Sequence, residues 1–348
     1  LVLSQEETKI MLYDKINTVV LIQTGREKKI MSLIEKLYSF IIFISVIVGI
    51  GIGQFETVRG SAEFFIVPLL IIMLYIIFLQ IPIADIKSSF KNLRFTSWTI
   101  IMNFVWTPIL ACILAILFLS GHPALWIGFI MLMVTPCTDW YLIFTGIAKG
   151  NVALSAAILP LNLVLQIVLL PIYLLVFGGT TGVIHLSDLI ESVLIVLLIP
   201  LGLSFLTKYL LQRNRQFKEK LYSYIGALPI IFLSLAIVAM FAAQGQILID
   251  NLALLWIITV PILLFFIINF VISQKVGGLM KFNYQDKVSF SMTTLARNSP
   301  IALAIAMTAF PEEPLIALTL VIGPLLELPI LAMITQMLLL LKNRTIVK

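Results

Sequence analysis

Charge is what this sequence has least of. Only 11% of its 348 residues are charged, 61% are apolar, and the mean hydropathy is +1.11. A soluble domain of this length could not cover its surface with so few polar groups, so that class is excluded. Cysteine is almost as scarce. Cys112 and Cys137 both lie in apolar runs, which rules out a disulfide framework and a three-cysteine metal site. Histidine is limited to His122 and His185, and neither an HExxH helix nor a glycine-rich phosphate loop occurs. No enzyme, no cofactor and no nucleic-acid partner is expected. Without an ATP-binding domain, primary transport would need a separate partner.

What fills the chain instead is a series of apolar runs of about 20 residues, each long enough to cross a bilayer as a helix. The runs predict ten spans, at about 33–53, 63–83, 96–120, 123–147, 152–178, 187–209, 220–244, 251–273, 286–310 and 315–341. Residues 1–29 read as a cytoplasmic N-terminal segment, followed by one transmembrane domain over 30–348. Of the 23 lysines and arginines, all but Arg59 and Arg297 fall before the first span, after the last, in even-numbered loops, or at the span ends that adjoin those segments. The net charge of +6 therefore follows from the positive-inside rule, and both termini are expected in the cytoplasm of a multi-pass plasma-membrane protein.

Ten spans with both ends on one side can be two inverted repeats of five, about 33–178 and 187–341. Proline spacing supports this. Pro136 lies in span four with Pro160 24 residues on, and Pro300 lies in span nine with Pro324 24 residues on. Proline removes a backbone donor and disfavours helix before it. Interrupted helices at membrane depth persist only where protein encloses them or water fills a cavity beside them. Pro136 and Pro300 are accordingly the expected helix breaks, and matching breaks in two halves point to a transporter's binding site.

Three ionisable residues fall near span centres: Asp139, Arg297 and Glu327. Each costs roughly 2.5–3.5 kcal/mol there. Each lies three residues from one of these prolines. One reading is a structural ion pair in which Arg297 meets Asp139 or Glu327. The other is a polar site at the midplane, with Asp139 or Glu327 carrying a proton. Thr135, Thr138, Asn162, Gln166, Ser291, Thr293, Thr294, Asn298 and Ser299 could supply neutral ligands. Cys112 reads as a packing residue. Cys137, beside Pro136 in MVTPCTDWYL, is either an inert buried thiol or a ligand for a thiol-seeking solute.

The stretches TPCTDWYLIFTGIAKGNVALSAAILPLN, LARNSPIALAIA and VIGPLLELP resemble the arsenical-resistance permeases, arsenite exporters within the bile acid:sodium symporter superfamily. The resemblance implies an all-α fold of ten helices, with core and panel domains and broken helices four and nine crossing at the site. It places the family's span-four cysteine on Cys137, as a metalloid ligand, and its G-P-L-x-E-x-P glutamate on Glu327. The sodium-coupled branch carries an acid four residues before a Gln-Asn pair in span nine. Here Thr293 and Arg297-Asn298 take those positions, so Arg297 is expected to stand in for the ion.

The expected function is secondary transport of a small solute, either proton-coupled arsenite efflux or proton- or sodium-coupled carriage of a small organic anion. Cys137, Thr138, Asp139, Asn162, Arg297, Asn298 and Ser299 would line the site. A single thiol suits a carrier, because tighter capture would prevent release. In the organic-anion reading Arg297 is the ligand and Cys137 is packing.

Overall fold

The computed structural model describes residues 40–81, 89–138, 140–179, 186–211, 228–250 and 252–346. The expected N-terminal segment, Asp139 and the loop carrying His185 lie outside them. The described chain is helical: α1 (Phe40–Ile52), α2 (Glu56–Gln80), α3 (Ser89–Phe118), α4 (Pro123–Val134), α5 (Trp140–Ile147), α6 (Val152–Gly178), α7 (Ile190–Leu211), α8 (Leu228–Asp250), α9 (Leu252–Leu279), α10 (Tyr284–Leu295), α11 (Ser299–Ala309) and α12 (Pro314–Ile346). Among the described residues seven helices are long and apolar enough to cross a membrane. The apolar helices α1, α4 and α11 are shorter.

These helices are apolar nearly all the way round, so a hydrophobic face cannot decide how they pack. On α3, Ile109, Ile113 and Leu117 form a stripe that is exposed, as a lipid-facing surface requires. Packing is decided by small residues and buried polar groups. Gly49 of α1 and Gly53 just past its end lie so close to α8 that a Cβ on Gly53 would stand 2.5 Å from the Ala242 carbonyl. Gly128 of α4 meets α12 in the same way, 2.9 Å from the Ile316 carbonyl.

Two groups of helices result. Helices α1, α2, α7 and α8 pack together, with Tyr75 of α2 bonded to Thr207 of α7 at 2.9 Å. Lys208 of α7 donates to the Phe78 and Ile81 carbonyls at 2.7 and 2.6 Å, closing the C-terminal end of α2. The second group comprises α3–α6, α9, α10 and α12, and α11 leans on both groups. Proline does not break every helix it enters. Helix α6 runs through Pro160 and Pro171, α9 through Pro261, and α12 through Pro324 and Pro329.

Candidate functional site

The interruptions that matter are two short extended stretches. Residues 135–138 separate α4 from α5, and residues 296–298 separate α10 from α11. They cross and pair as a single antiparallel bridge, Pro136 opposite Arg297. The Cys137 N–H donates to the Ala296 carbonyl at 3.0 Å, and the Asn298 N–H donates to the Thr135 carbonyl at 2.7 Å. Each break thus satisfies backbone groups of the other, as a water-poor interior demands. Pro136 lies within its break. Pro300 lies just past the other one, in the first turn of α11, where a missing N–H costs nothing.

Arg297 is wholly buried at the crossing. Its guanidinium reaches back to helix ends. Nη1 donates to the Met133 carbonyl at 2.8 Å, at the end of α4. Nε donates to the Leu295 carbonyl at 3.0 Å and Nη2 to the Thr294 carbonyl at 2.5 Å, at the end of α10. Nη2 also approaches Asn103 Oδ1 at 3.4 Å, and the guanidinium carbon sits 5.5 Å from the Phe265 ring centre. The C-terminal ends of two half-helices, each carrying partial negative charge, are capped by one cation. The backbone N–H of Arg297 donates to Glu327 Oε1 at 2.9 Å, so α12 grips the same crossing. Among the described residues Glu327 is the carboxylate that lies beside Arg297.

The remaining expected residues gather around this point, with Asp139 outside the described residues. Cys137 is wholly buried in the α4–α5 break. Thr138 accepts from Asn298 Nδ2 at 3.1 Å, tying the breaks together through side chains, while Asn298 Oδ1 faces the Ile301 N–H at 3.4 Å as the N-cap of α11. Ser299 donates its hydroxyl to the Leu320 carbonyl of α12. Asn162 Nδ2 donates to Thr293 Oγ1 at 3.3 Å. Ser291 accepts from Ser273 and Gln274 of α9 at 3.0 and 2.7 Å. Sequence reasoning missed Asn103 and Asn269. Asn269 donates to the Thr294 carbonyl and accepts from Trp106 Nε1 at 3.2 Å. An amide inside an otherwise apolar run was the available signal for both.

A multi-pass helical protein whose broken helices cross over a buried polar centre has the architecture of a membrane transporter. The chain belongs to the Sodium Bile acid symporter family, whose model matches residues 67–251. It is similar to two proteins named as arsenical-resistance proteins Acr3. One, from Corynebacterium glutamicum, is 25% identical over 275 residues, 75% of this chain and 74% of that protein. The other, from Alkaliphilus metalliredigens, is 23% identical over 323 residues, 86% of this chain and 89% of that one. An uncharacterized transporter of Synechocystis is 23% identical over 338 residues, covering 88% of each chain.

Proposed function

We propose that this transporter exports arsenite or a related metalloid across the plasma membrane, driven by proton exchange. In this reading ten spans form two inverted repeats, about 33–178 and 187–341, within a transmembrane domain that follows residues 1–29, and both termini lie in the cytoplasm. The observation that carries the reading is a buried thiol, Cys137, held at the crossing of two broken helices beside a fixed cation. Arsenous acid is a small neutral trihydroxide that a single sulfur can bind and release. Thr138 and Asn298 lie in the same two breaks to receive its hydroxyls, with Asn162 and Ser299 around them. Asp139 is one candidate to exchange the proton and Glu327 the other.

Arg297 occupies the position where a coupling cation would meet carbonyl oxygens, and supports coupling to protons rather than sodium. The rival reading, carriage of a small organic anion by Arg297, is less well supported. Four protein oxygens already take the guanidinium's hydrogen bonds. The similarity to two arsenical-resistance proteins points the same way.

The test is arsenite accumulation by everted membrane vesicles under an imposed gradient. An acidified lumen should drive uptake in vesicles carrying the protein and not in control vesicles. A sodium gradient alone should drive none. Absence of uptake under either gradient at verified protein abundance refutes arsenite efflux. Uptake driven by sodium refutes the role given to Arg297.

A further inference from the structure

Buried polar atoms without partners are rare in folded proteins, and each costs about 1–3 kcal/mol. Among the described residues most of them sit on two helices. Helix α3 carries the Thr99 hydroxyl, the Asn103 amide nitrogen and the Thr107 hydroxyl, and α6 carries the Ser155 hydroxyl, the Asn162 amide oxygen and both ends of Gln166. All six residues are at most 1% exposed.

The spacing on each helix is that of one face. Thr99, Asn103 and Thr107 follow at intervals of four, and so do Asn162 and Gln166. The two helices run side by side in the same direction. Ser89 at the start of α3 donates to the Ala157 carbonyl, and Tyr173 late in α6 donates to the Phe104 carbonyl at 2.5 Å. That register puts Gln166 level with Ser97 and Trp98, next to Thr99. Both stripes also touch the last turn of α10 or the break that follows it. Asn162 donates to Thr293, and Asn103 accepts from Arg297 four residues later. Each asparagine uses one end of its amide to hold the crossing and leaves the other end open.

Helical threonines elsewhere do not behave like this. Thr145, Thr259, Thr294, Thr308, Thr319 and Thr335 all donate to the carbonyl four residues back. Thr99 and Thr107 have that option and do not take it. A π-helical turn at Met102–Trp106 lies between them, a distortion often found at functional sites.

We propose that the seam between α3 and α6, centred on Thr99, Asn103, Asn162 and Gln166, is a binding site for a neutral, hydroxyl-bearing solute, adjoining the crossing. The chemistry of the open groups selects this class. The amide nitrogens of Asn103 and Gln166 donate only, and the amide oxygens of Asn162 and Gln166 accept only. A metal cation could use the oxygens but would face two donors and the nearby guanidinium. An anion would leave the oxygens unpaired. A hydroxyl both donates and accepts, so it satisfies both kinds. The inference rests on the transport reading for the solute's route, and on the seam alone for the existence of the site.

The experiment is thermal melting of the full chain in detergent at constant ionic strength. The probes are arsenite, boric acid and sodium chloride. Boric acid is a neutral trihydroxide without affinity for thiols, so it reports on the seam rather than on Cys137. The variants are Gln166→Leu and, as control, Gln244→Leu on α8, which removes another unpartnered amide oxygen. Removing Gln166 leaves no hydrogen bond unmade, so that variant should melt no lower than the wild type. Boric acid should raise the melting temperature of the wild type and of Gln244→Leu by several degrees at saturation, and leave Gln166→Leu unmoved. A boric acid shift with no arsenite shift keeps the seam and removes the arsenite reading. The seam is overturned if boric acid shifts nothing, if its shift survives Gln166→Leu, or if only sodium gives a shift that depends on Gln166.

Discussion

Replacing Arg297 with methionine removes the cation from the crossing while keeping an unbranched side chain. Four acceptors then lose their donor: the carbonyls of Met133, Leu295 and Thr294, and Asn103 Oδ1. Hydrogen bonds to a charged group are worth about 1.5–3 kcal/mol each, but they do not add when they share one donor. The converging C-terminal ends of α4 and α10 also lose the charge that offsets their dipoles, worth up to about 2 kcal/mol in buried geometry. A net loss of about 3–5 kcal/mol is the magnitude measured when a buried ion loses its partner. At about 2–4 °C per kcal/mol for a chain somewhat smaller than this one, melting in detergent should fall by roughly 10 °C. Arg297→Lys should recover less than half of that, because an ammonium is a point charge and cannot span carbonyls on both helix ends. In Arg297→Ala the emptied space is lined by the same oxygens, so sodium should raise the melting temperature of that variant and not of the wild type. Arg297→Met melting within about 2 °C of the wild type would refute the reasoning, because the guanidinium would then not be what holds the breaks.

Gly53→Val should separate α1 from α8, because a Cβ at Gly53 already meets the Ala242 backbone at 2.5 Å. The expected cost is at least about 1–3 kcal/mol, read as a lower melting temperature and reduced folded yield. Asn298→Ala removes both the α11 N-cap and the bond to Thr138, and should cost about 1–2 kcal/mol in melting while reducing transport more than stability. Lys208→Met leaves the Phe78 and Ile81 carbonyls without their donor and should destabilise by about 1–2 kcal/mol. In that variant transport should survive at temperatures where the protein stays folded.

The break at residues 135–138 was legible because Pro136 stands in it, with the ionisable Asp139 three residues on. The second break was legible only approximately. Pro300 announces it but belongs to the helix that follows, since proline tolerates a first turn. A proline alone does not mark a break, because α6, α9 and α12 each continue through prolines. Arg297 was recognised as out of place, and Glu327, one of the two carboxylates expected beside it, accepts from its backbone N–H, but the carbonyl partners of its guanidinium were not foreseen. Sequence displays side chains and hides the carbonyls that a broken helix leaves unpaired, and those carbonyls are what the guanidinium caps. The Gly49–Gly53 approach and the Thr99–Asn103–Thr107 stripe follow simple four-residue spacings. Both were overlooked because in apolar helices attention falls on charge, whereas close packing there is set by small residues and single hydroxyls.

The account's central claim is that Cys137 at the helix crossing handles the transported solute. The most direct test is arsenite efflux from cells expressing the wild type or Cys137→Ser at equal membrane abundance, with melting temperature measured in parallel. The account predicts arsenite efflux by the wild type and its loss in Cys137→Ser, with stability to melting lowered by no more than the roughly 1–3 kcal/mol that a buried hydroxyl costs, because serine fits the same buried space and keeps the backbone bridge to Ala296. Efflux that continues unchanged in Cys137→Ser would contradict it and leave the thiol as packing.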